Sequence, residues 1–179
     1  MDGGFAFGIN DLGFISGFQF TADGSNEIAC LWYWNGSGYT ALALPSLGGD
    51  FSEAYGINNW GQTVGISLNA GDLNGLAALW DWRGPHALPL LLGYTDAGAN
   101  AINDLGQVTG FNYGVDQNGN DVQAVVLWQN GKVTDLQTVV PPATPILTDI
   151  GNANLSGQIV VNTGDSFDGS LAPYVLIPK

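Results

Sequence analysis

Residues 56–65 read Gly56-Ile57-Asn58-Asn59-Trp60-Gly61-Gln62-Thr63-Val64-Gly65, and the same pattern occurs at three other places in the chain. The other copies lie at residues 8–17, 101–110 and 152–161, and the shared asparagines are 48, 45 and 51 residues apart. A Leu-Trp pair recurs with the same period, at residues 31–32, 79–80 and 127–128. Internal repeats of about 40 to 50 residues are typical of β-propeller blades.

Each repeat is predicted to contain four short strands. The Asn-x-x-Gly core of the motif favours a tight turn between two strands, because the Asn side chain can accept backbone amides and Gly tolerates a positive φ. The Trp-bearing strand follows after a polar loop, and Asn-Gly pairs at residues 35–36 and 130–131 predict a hairpin after it. We therefore predict an all-β fold, a β-propeller of about four blades, each with four short antiparallel strands and roughly 48 residues. A stacked solenoid is the alternative.

The repeats cover the whole chain, which is predicted to form one domain over residues 1–179. Their approximate limits are residues 5–50, 51–97, 98–146 and 147–179. The last repeat has no fourth strand, and two ways to complete the ring are predicted as alternatives. Residues 5–9 could supply the missing strand, or a second copy of the chain could complete the ring, giving a dimer of eight blades.

Composition and charge exclude several classes of protein. The chain has 179 residues, with 16 acidic and 3 basic side chains and a net charge of −13, which argues against nucleic-acid binding because phosphates require clustered cations. The longest uncharged stretch, residues 28–49, contains Asn, Gly and Pro breaks, so no membrane insertion is expected. The single cysteine, Cys30, excludes an internal disulfide and a cysteine-type zinc site.

The combined pattern resembles the HAF family of probable extracellular repeats. The resemblance is carried by the Ala-x-x-Ile-Asn-x-x-Gly-x-Val-x-Gly run at residues 54–65, the Leu-Trp strand at 76–82 and the Leu-Gly-Gly-Asp linker at 47–50. The third copy, residues 99–131, matches as well, whereas the fourth lacks both the Ile before its Asn and the Trp. The resemblance implies a propeller-like fold in a secreted or cell-surface bacterial or archaeal protein, and no reaction. A signal peptide is absent from the first residues of the sequence.

The polar loop after the second strand of each repeat is a candidate binding feature. The loops carry candidate ligand-binding carboxylates at Asp23, Asp72, Asp165 and Asp168. In the third loop the oxygen-bearing residues alternate as they do in calcium loops, at Asp116, Asn118, Asn120 and Asp121. This loop lacks the bidentate Glu and the flanking helices of an EF-hand, so a calcium site and a solvated turn remain alternatives.

Two sets of tryptophans are predicted to have different roles. Trp32, Trp80 and Trp128 are expected to pack between blades, since one large aromatic side chain per blade fills the wedge between sheets. Trp34 and Trp82, nearer the strand ends, could form with Trp60 a platform on which sugar rings stack.

The sequence supplies no catalytic residue. His86 is the only histidine and no nucleophile-elbow motif is present. The chain is therefore interpreted as a non-catalytic extracellular binding or scaffold module that recognises a glycan or protein partner through its repeated acidic loops. Two alternatives remain: a glycan-acting hydrolase or lyase with a carboxylate cluster on one propeller mouth, and a structural subunit of a surface layer or filament.

Overall fold

The computed structural model describes residues 3–164 and 172–178. Over these residues the chain forms fifteen strands in four antiparallel sheets and one 3-10 turn, Leu136–Thr138. The four sheets are arranged as a four-bladed β-propeller, which confirms the predicted fold class. In the part of the chain described, no helix is long and apolar enough to cross a membrane.

Each blade is one sheet whose strands follow one another in chain order. The first contains β1 (Gly4–Ile9), β2 (Ile15–Phe20), β3 (Glu27–Trp34) and β4 (Tyr39–Ala43). The second contains β5 (Gly48–Ile57), β6 (Thr63–Asn69), β7 (Gly75–Asp81) and β8 (Gly84–Ala87). The third contains β9 (Tyr94–Ile102), β10 (Val108–Val115), β11 (Asp121–Gln129) and β12 (Lys132–Asp135). The fourth contains β13 (Leu147–Ala153), β14 (Ile159–Thr163) and β15 (Ala172–Leu176).

The Asn-x-x-Gly motif forms a turn between two strands in every blade, as predicted, and the structure shows that these are the first two strands of one blade. In the second blade the Asn58 Oδ1 atom accepts the backbone N–H groups of Trp60 and Gln62, at 3.1 and 3.0 Å. Gly61 has φ 74°, a conformation that a side chain with a Cβ disfavours. The side chain of the Asn thus builds the turn and the Gly closes it.

One of the two predicted ways to complete the ring is wrong. Residues 5–9 lie in β1, which pairs with β2 as the first strand of the first blade and adds nothing to the fourth. The physical reason is that the Asn-x-x-Gly turn closes a hairpin, so the strand before it pairs with the strand after it in the same blade. Within the described residues the fourth blade therefore has three strands.

The hydrophobic core lies between the blades. Trp80 and Trp128 are both 2% exposed, and their indole N–H groups donate to the carbonyls of Pro45 and Pro89, each at 2.7 Å. Each of these prolines lies in the chain segment that follows the preceding blade. In the second and third blades an indole thus fills the wedge beside the preceding blade, which confirms the packing predicted for Trp80 and Trp128.

Candidate ligand-binding grooves between the blades

The four motif asparagines also join neighbouring blades, which the sequence analysis missed. The Asn10 Nδ2 atom donates to the Asn58 carbonyl at 3.0 Å, Asn58 to Asn103 at 3.1 Å, and Asn103 to Asn154 at 3.0 Å. We call these three bonds the asparagine ladder. One signal in the sequence pointed to it: an aspartate would build the same turn, yet all four residues are asparagines, which also have a donor.

A groove of about 500 Å³ lies between the first and second blades. We call it the first groove; it is lined by Leu31, Leu42, Leu44, Trp60, Gly61, Gln62, Thr63, Trp80, Asp81 and Trp82. The leucines come from the first blade and its linker, while the polar and aromatic groups come from the second. The groove therefore combines an apolar wall with hydrogen-bonding groups, the usual composition of a small-molecule site.

Two exposed tryptophans belong to the first groove. Trp60 is 75% exposed and Trp82 is 86% exposed. The Trp60 indole is held in place because its Nε1 atom donates to the Asp104 carbonyl at 2.8 Å. The Arg83 guanidinium lies 4.7 Å from the Trp82 ring centroid, which is a cation–π contact. These indoles are fixed to the groove yet open to solvent.

Thr63 lies in the wall of the first groove, but its hydroxyl is enclosed by the protein. Its side chain is fully buried, and among the described residues its Oγ1 atom is the one buried side-chain polar atom without a partner. Buried polar groups in proteins are nearly always hydrogen-bonded, and an unpaired one costs about 1–3 kcal/mol. Because this hydroxyl is closed to solvent, Gln62 and Asp81 are the polar side chains of the groove that can meet a ligand.

The predicted aromatic platform is only partly brought together. Trp82 lines the first groove with Trp60, whereas Trp34 does not line it. Trp34 instead forms an edge-on pair with Tyr39 on the first blade, with ring centroids 5.6 Å apart. The two tryptophans occupy equivalent positions in their blades, so the repeat alone could not distinguish them.

In the acidic loops that the structure describes, the carboxylates accept hydrogen bonds from other groups of the protein. The Asp23 side chain accepts the Thr21 hydroxyl at 2.6 Å and the Ser25 backbone and hydroxyl groups at 3.1 and 2.7 Å. These bonds lower the pKa of Asp23 to about 2. Asp72 accepts the Asp50 backbone N–H at 2.9 Å. Asp165 and Asp168 lie outside the described residues.

The loop predicted as a calcium site is folded around Asp116. The Oδ1 atom of Asp116 accepts the backbone N–H groups of Asn118 and Asn120, at 2.8 and 2.9 Å, and Oδ2 accepts the Asn120 amide at 3.0 Å. These bonds lower the pKa of Asp116. Asp121 follows as the first residue of β11.

The donors around Asp116 are N–H groups, with which a cation would have to compete, so the described conformation does not fit a calcium ion well. Over residues 3–164 and 172–178, no three His, Cys, Asp or Glu side chains gather as metal ligands would. Calcium binding at this loop stays a prediction, which a thermal melt with and without a chelator would test.

The chain's only two glutamates meet across the first and second blades. Glu27, at the start of β3, lies near Glu53 on β5, and the Tyr55 hydroxyl donates to Glu53. Desolvation, followed by the neighbouring Glu53 side chain and its charge, raises the pKa of Glu27 to about 7. Sequence reasoning did not pair these residues.

The glutamate pair predicts a pH-dependent stability. Glu27 has an ordinary pKa of 4.5 when unfolded and about 7 when folded, so folding takes up a proton between these values. The free energy of unfolding should therefore fall as the pH rises from about 4.5 to about 7. Denaturant unfolding at several pH values measures this slope. The Glu27→Gln variant should lose it, and an equal slope in both proteins would contradict the assignment.

These features define the class of protein as a repeat β-propeller with ligand-sized grooves between its blades. Comparison of the chain with protein-family models, with curated proteins and with solved structures gives no match. The functional conclusion therefore rests on the geometry of the grooves and of the blade faces.

Proposed function

We propose that the chain is a non-catalytic binding module that recognises a glycan in the first groove. One observation carries the proposal: Trp60 and Trp82, both exposed, border a groove that is also lined by the polar side chains of Gln62 and Asp81. Sugar rings stack on aromatic faces, and their hydroxyls donate to and accept from polar side chains. The resemblance to the HAF repeats supports an extracellular or cell-surface location.

The polar groups of the first groove suit a neutral sugar. Gln62 offers its amide N–H₂ group, since its Oε1 atom is already bonded to Asn58. Asp81 binds the Arg83 backbone and His86, at 2.7 and 2.9 Å, and its carboxylate retains further acceptor capacity. Nearby Arg83 is the single arginine of a chain with net charge −13, so strongly anionic glycans are disfavoured.

A glycan array followed by calorimetry tests this proposal. Replacing Trp60 or Trp82 by alanine should weaken binding about tenfold or more, because each indole supplies a stacking face. Trp34→Ala is the matched control, since Trp34 is an exposed indole at the equivalent strand position but outside the groove. A blank array, or equal binding by all three variants, would reject the glycan site.

A second candidate function, that of a subunit in an assembly, is favoured by two uncovered blade faces. The residue six positions after the motif asparagine is fully buried in the first three blades, as Ser16, Val64 and Thr109. In those blades it packs against the next blade; Ser16 and Thr109 bond carbonyls there, at 3.4 and 2.7 Å. At the equivalent position the fourth blade has Val160, which is 46% exposed. We call the side of the fourth blade around Val160 the exit face.

The first blade exposes the complementary face. Ala54 and Ala99, which precede their asparagines by four residues, are fully buried against the preceding blade. Their counterpart Ala6 is exposed, and Trp32 is only half-buried where Trp80 and Trp128 are buried. We call this the entry face. Strand packing joins consecutive blades, and the described residues show no comparable packing between the fourth blade and the first.

The asparagine ladder ends at these two faces. Asn154 donates within its own turn, to Gln158 Oε1 at 2.7 Å, and among the described residues its amide reaches no neighbouring blade. At the other end, the Asn10 carbonyl accepts Gly13 N–H but no asparagine of the described chain. We propose that the exit face of one copy binds the entry face of another. Because this contact is heterologous, two chains of four blades could close into a ring of eight.

A further inference from the structure

A second cavity lies in the gap between the third and fourth blades. Its volume is about 830 Å³, within the range of about 300 to 1,000 Å³ that small-molecule sites occupy. The third blade and the segment after it contribute Leu127, Leu136 and Val140, and the fourth blade contributes Ile159 and Leu176. We call this cavity the second groove. It is distinct from the first groove and shares no residue with it.

The second groove is the place that an indole fills in the other gaps. Strand register aligns the blades: Thr63 pairs with Trp80, Val108 with Trp128, and Ile159 with Leu176. Leu176 thus takes the position of Trp80 and Trp128. Because a leucine is shorter than an indole, the gap keeps open the volume that a flat bicyclic ring occupies between the other blades.

A second change in the fourth blade accompanies the first. A Cβ at Gly110 would clash with the Gly98 carbonyl and would also lie 3.0 Å from the Trp128 ring. At the equivalent position the fourth blade has Val161, which is fully buried and does not line the cavity. The fourth blade thus has a valine in place of this glycine and a leucine in place of the indole, and the cavity lies beside the leucine.

One polar group faces the second groove without a partner. Gln107 is 7% exposed and lines the cavity. Its Oε1 atom accepts the Asn103 amide at 2.7 Å, but within the described chain its Nε2 atom makes no hydrogen bond. The Nε2 atom would lie 3.6 Å from a Cβ at Gly157, on the other wall of the cavity. Since Gln107 lines the cavity and this donor is not among the enclosed unpaired atoms, an acceptor inside the cavity can bind it.

We infer that the second groove binds a flat aromatic group that carries a hydrogen-bond acceptor. The apolar walls replace water around the ring, as the corresponding walls do around Trp80 and Trp128. The Gln107 amide donates to the acceptor and fixes the orientation of the ring. The occupant that we infer is a small aromatic molecule, since the cavity volume of about 830 Å³ lies in the range of small-molecule sites; tighter binding of an aromatic side chain within a peptide would overturn this choice.

Methyl-detected NMR titration of the full chain tests the inference. The probe is 3-acetylindole, which has the ring and a carbonyl acceptor; 3-methylindole has the ring alone. The acetyl compound should bind saturably and at least about fivefold more tightly, because one hydrogen bond to a buried amide contributes about 1 kcal/mol. A tryptophan-containing tripeptide, titrated in parallel, distinguishes a peptide source from a small molecule.

Two variants locate the binding. Leu176→Trp should fill the second groove and weaken probe binding tenfold or more, while Val115→Trp, at an exposed site that does not line the cavity, should leave it unchanged. If Leu176→Trp does not fold, nuclear Overhauser contacts in the wild-type protein between the probe and the Leu136, Ile159 and Leu176 methyls decide. No saturable binding, equal binding by Leu176→Trp, or contacts confined to other methyls would overturn the inference. Glycan binding in the first groove is read separately, so either proposal can fail alone.

Discussion

In light scattering, the protein should have twice the 18.7-kDa mass of a single chain. The expectation follows from the exit and entry faces, which repeat the residues that are buried wherever one blade meets the next. Each face is apolar at its centre, and each holds one end of the asparagine ladder. Burial of such surface contributes about 25 cal/mol per Å², and the contact that it makes is one already formed three times within the chain.

A charge introduced on either face should be sufficient to break the assembly. Val160→Arg places a charge on the exit face, and Ala6→Arg places one on the entry face; both variants should show the mass of one chain. Val115→Arg is the control, because Val115 is exposed on β10 and belongs to neither face. A wild-type mass of 18.7 kDa at every concentration would refute head-to-tail pairing and leave the glycan proposal untouched.

Asn58→Ala should destabilise the fold by about 3 kcal/mol. Asn58 is 3% exposed, and its side chain makes four hydrogen bonds, to Trp60, Gln62 and Asn103. Alanine takes the acceptor from the Trp60 and Gln62 backbone N–H groups of the turn, and it removes one of the two donors to the Asn103 carbonyl, which keeps the Gly106 N–H. Each backbone group left unpaired costs about 1–3 kcal/mol. Denaturant unfolding measures the loss.

Two further variants separate the turn from the ladder. Asn154→Ala removes the same turn at the exposed end of the ladder and, in the monomer, should cost clearly less than Asn58→Ala. Asn58→Asp keeps the acceptor for the turn but loses the donor to the Asn103 carbonyl and to Gln62 Oε1 and places a charge beside both oxygens, so its cost is an upper limit for the ladder bond. Equal losses for Asn58→Ala and Asn154→Ala would show that the bond between blades adds nothing to stability.

The fold was predictable because the repeat unit occurs four times in the sequence. The turns and strands recur with one period, so the secondary structure assigned to one copy is supported by the other copies. Ring closure was partly mispredicted because the strand before each turn, β1 for example, was assigned to the wrong sheet. Only the pairing of β1 with β2 shows that the hairpin joins both strands in one blade.

The sites were less accessible to sequence reasoning. Trp82 could be proposed because it is an aromatic residue at a repeated strand end, but the unpaired hydroxyl of Thr63 is a property of packing. Glu27 and Glu53 come together through the stacking of two blades, which no local pattern reveals. The acidic loops are predicted as ligand sites, but the Asp23 and Asp116 carboxylates accept backbone N–H groups of their own turns. The composition of a turn resembles that of a cation site because both use side-chain oxygens.

The asparagine ladder gives the molecule a direction. Every bond in it runs from the amide of one blade to the carbonyl of the next, so an inner blade is held from both sides and a terminal blade from one. In a linear array with nearest-neighbour coupling, protection against local opening is greatest in the middle and falls toward the ends. Backbone amides of β6 and β10 should therefore exchange their hydrogens last. Ring closure would equalise the blades by giving the terminal ones the neighbours they lack.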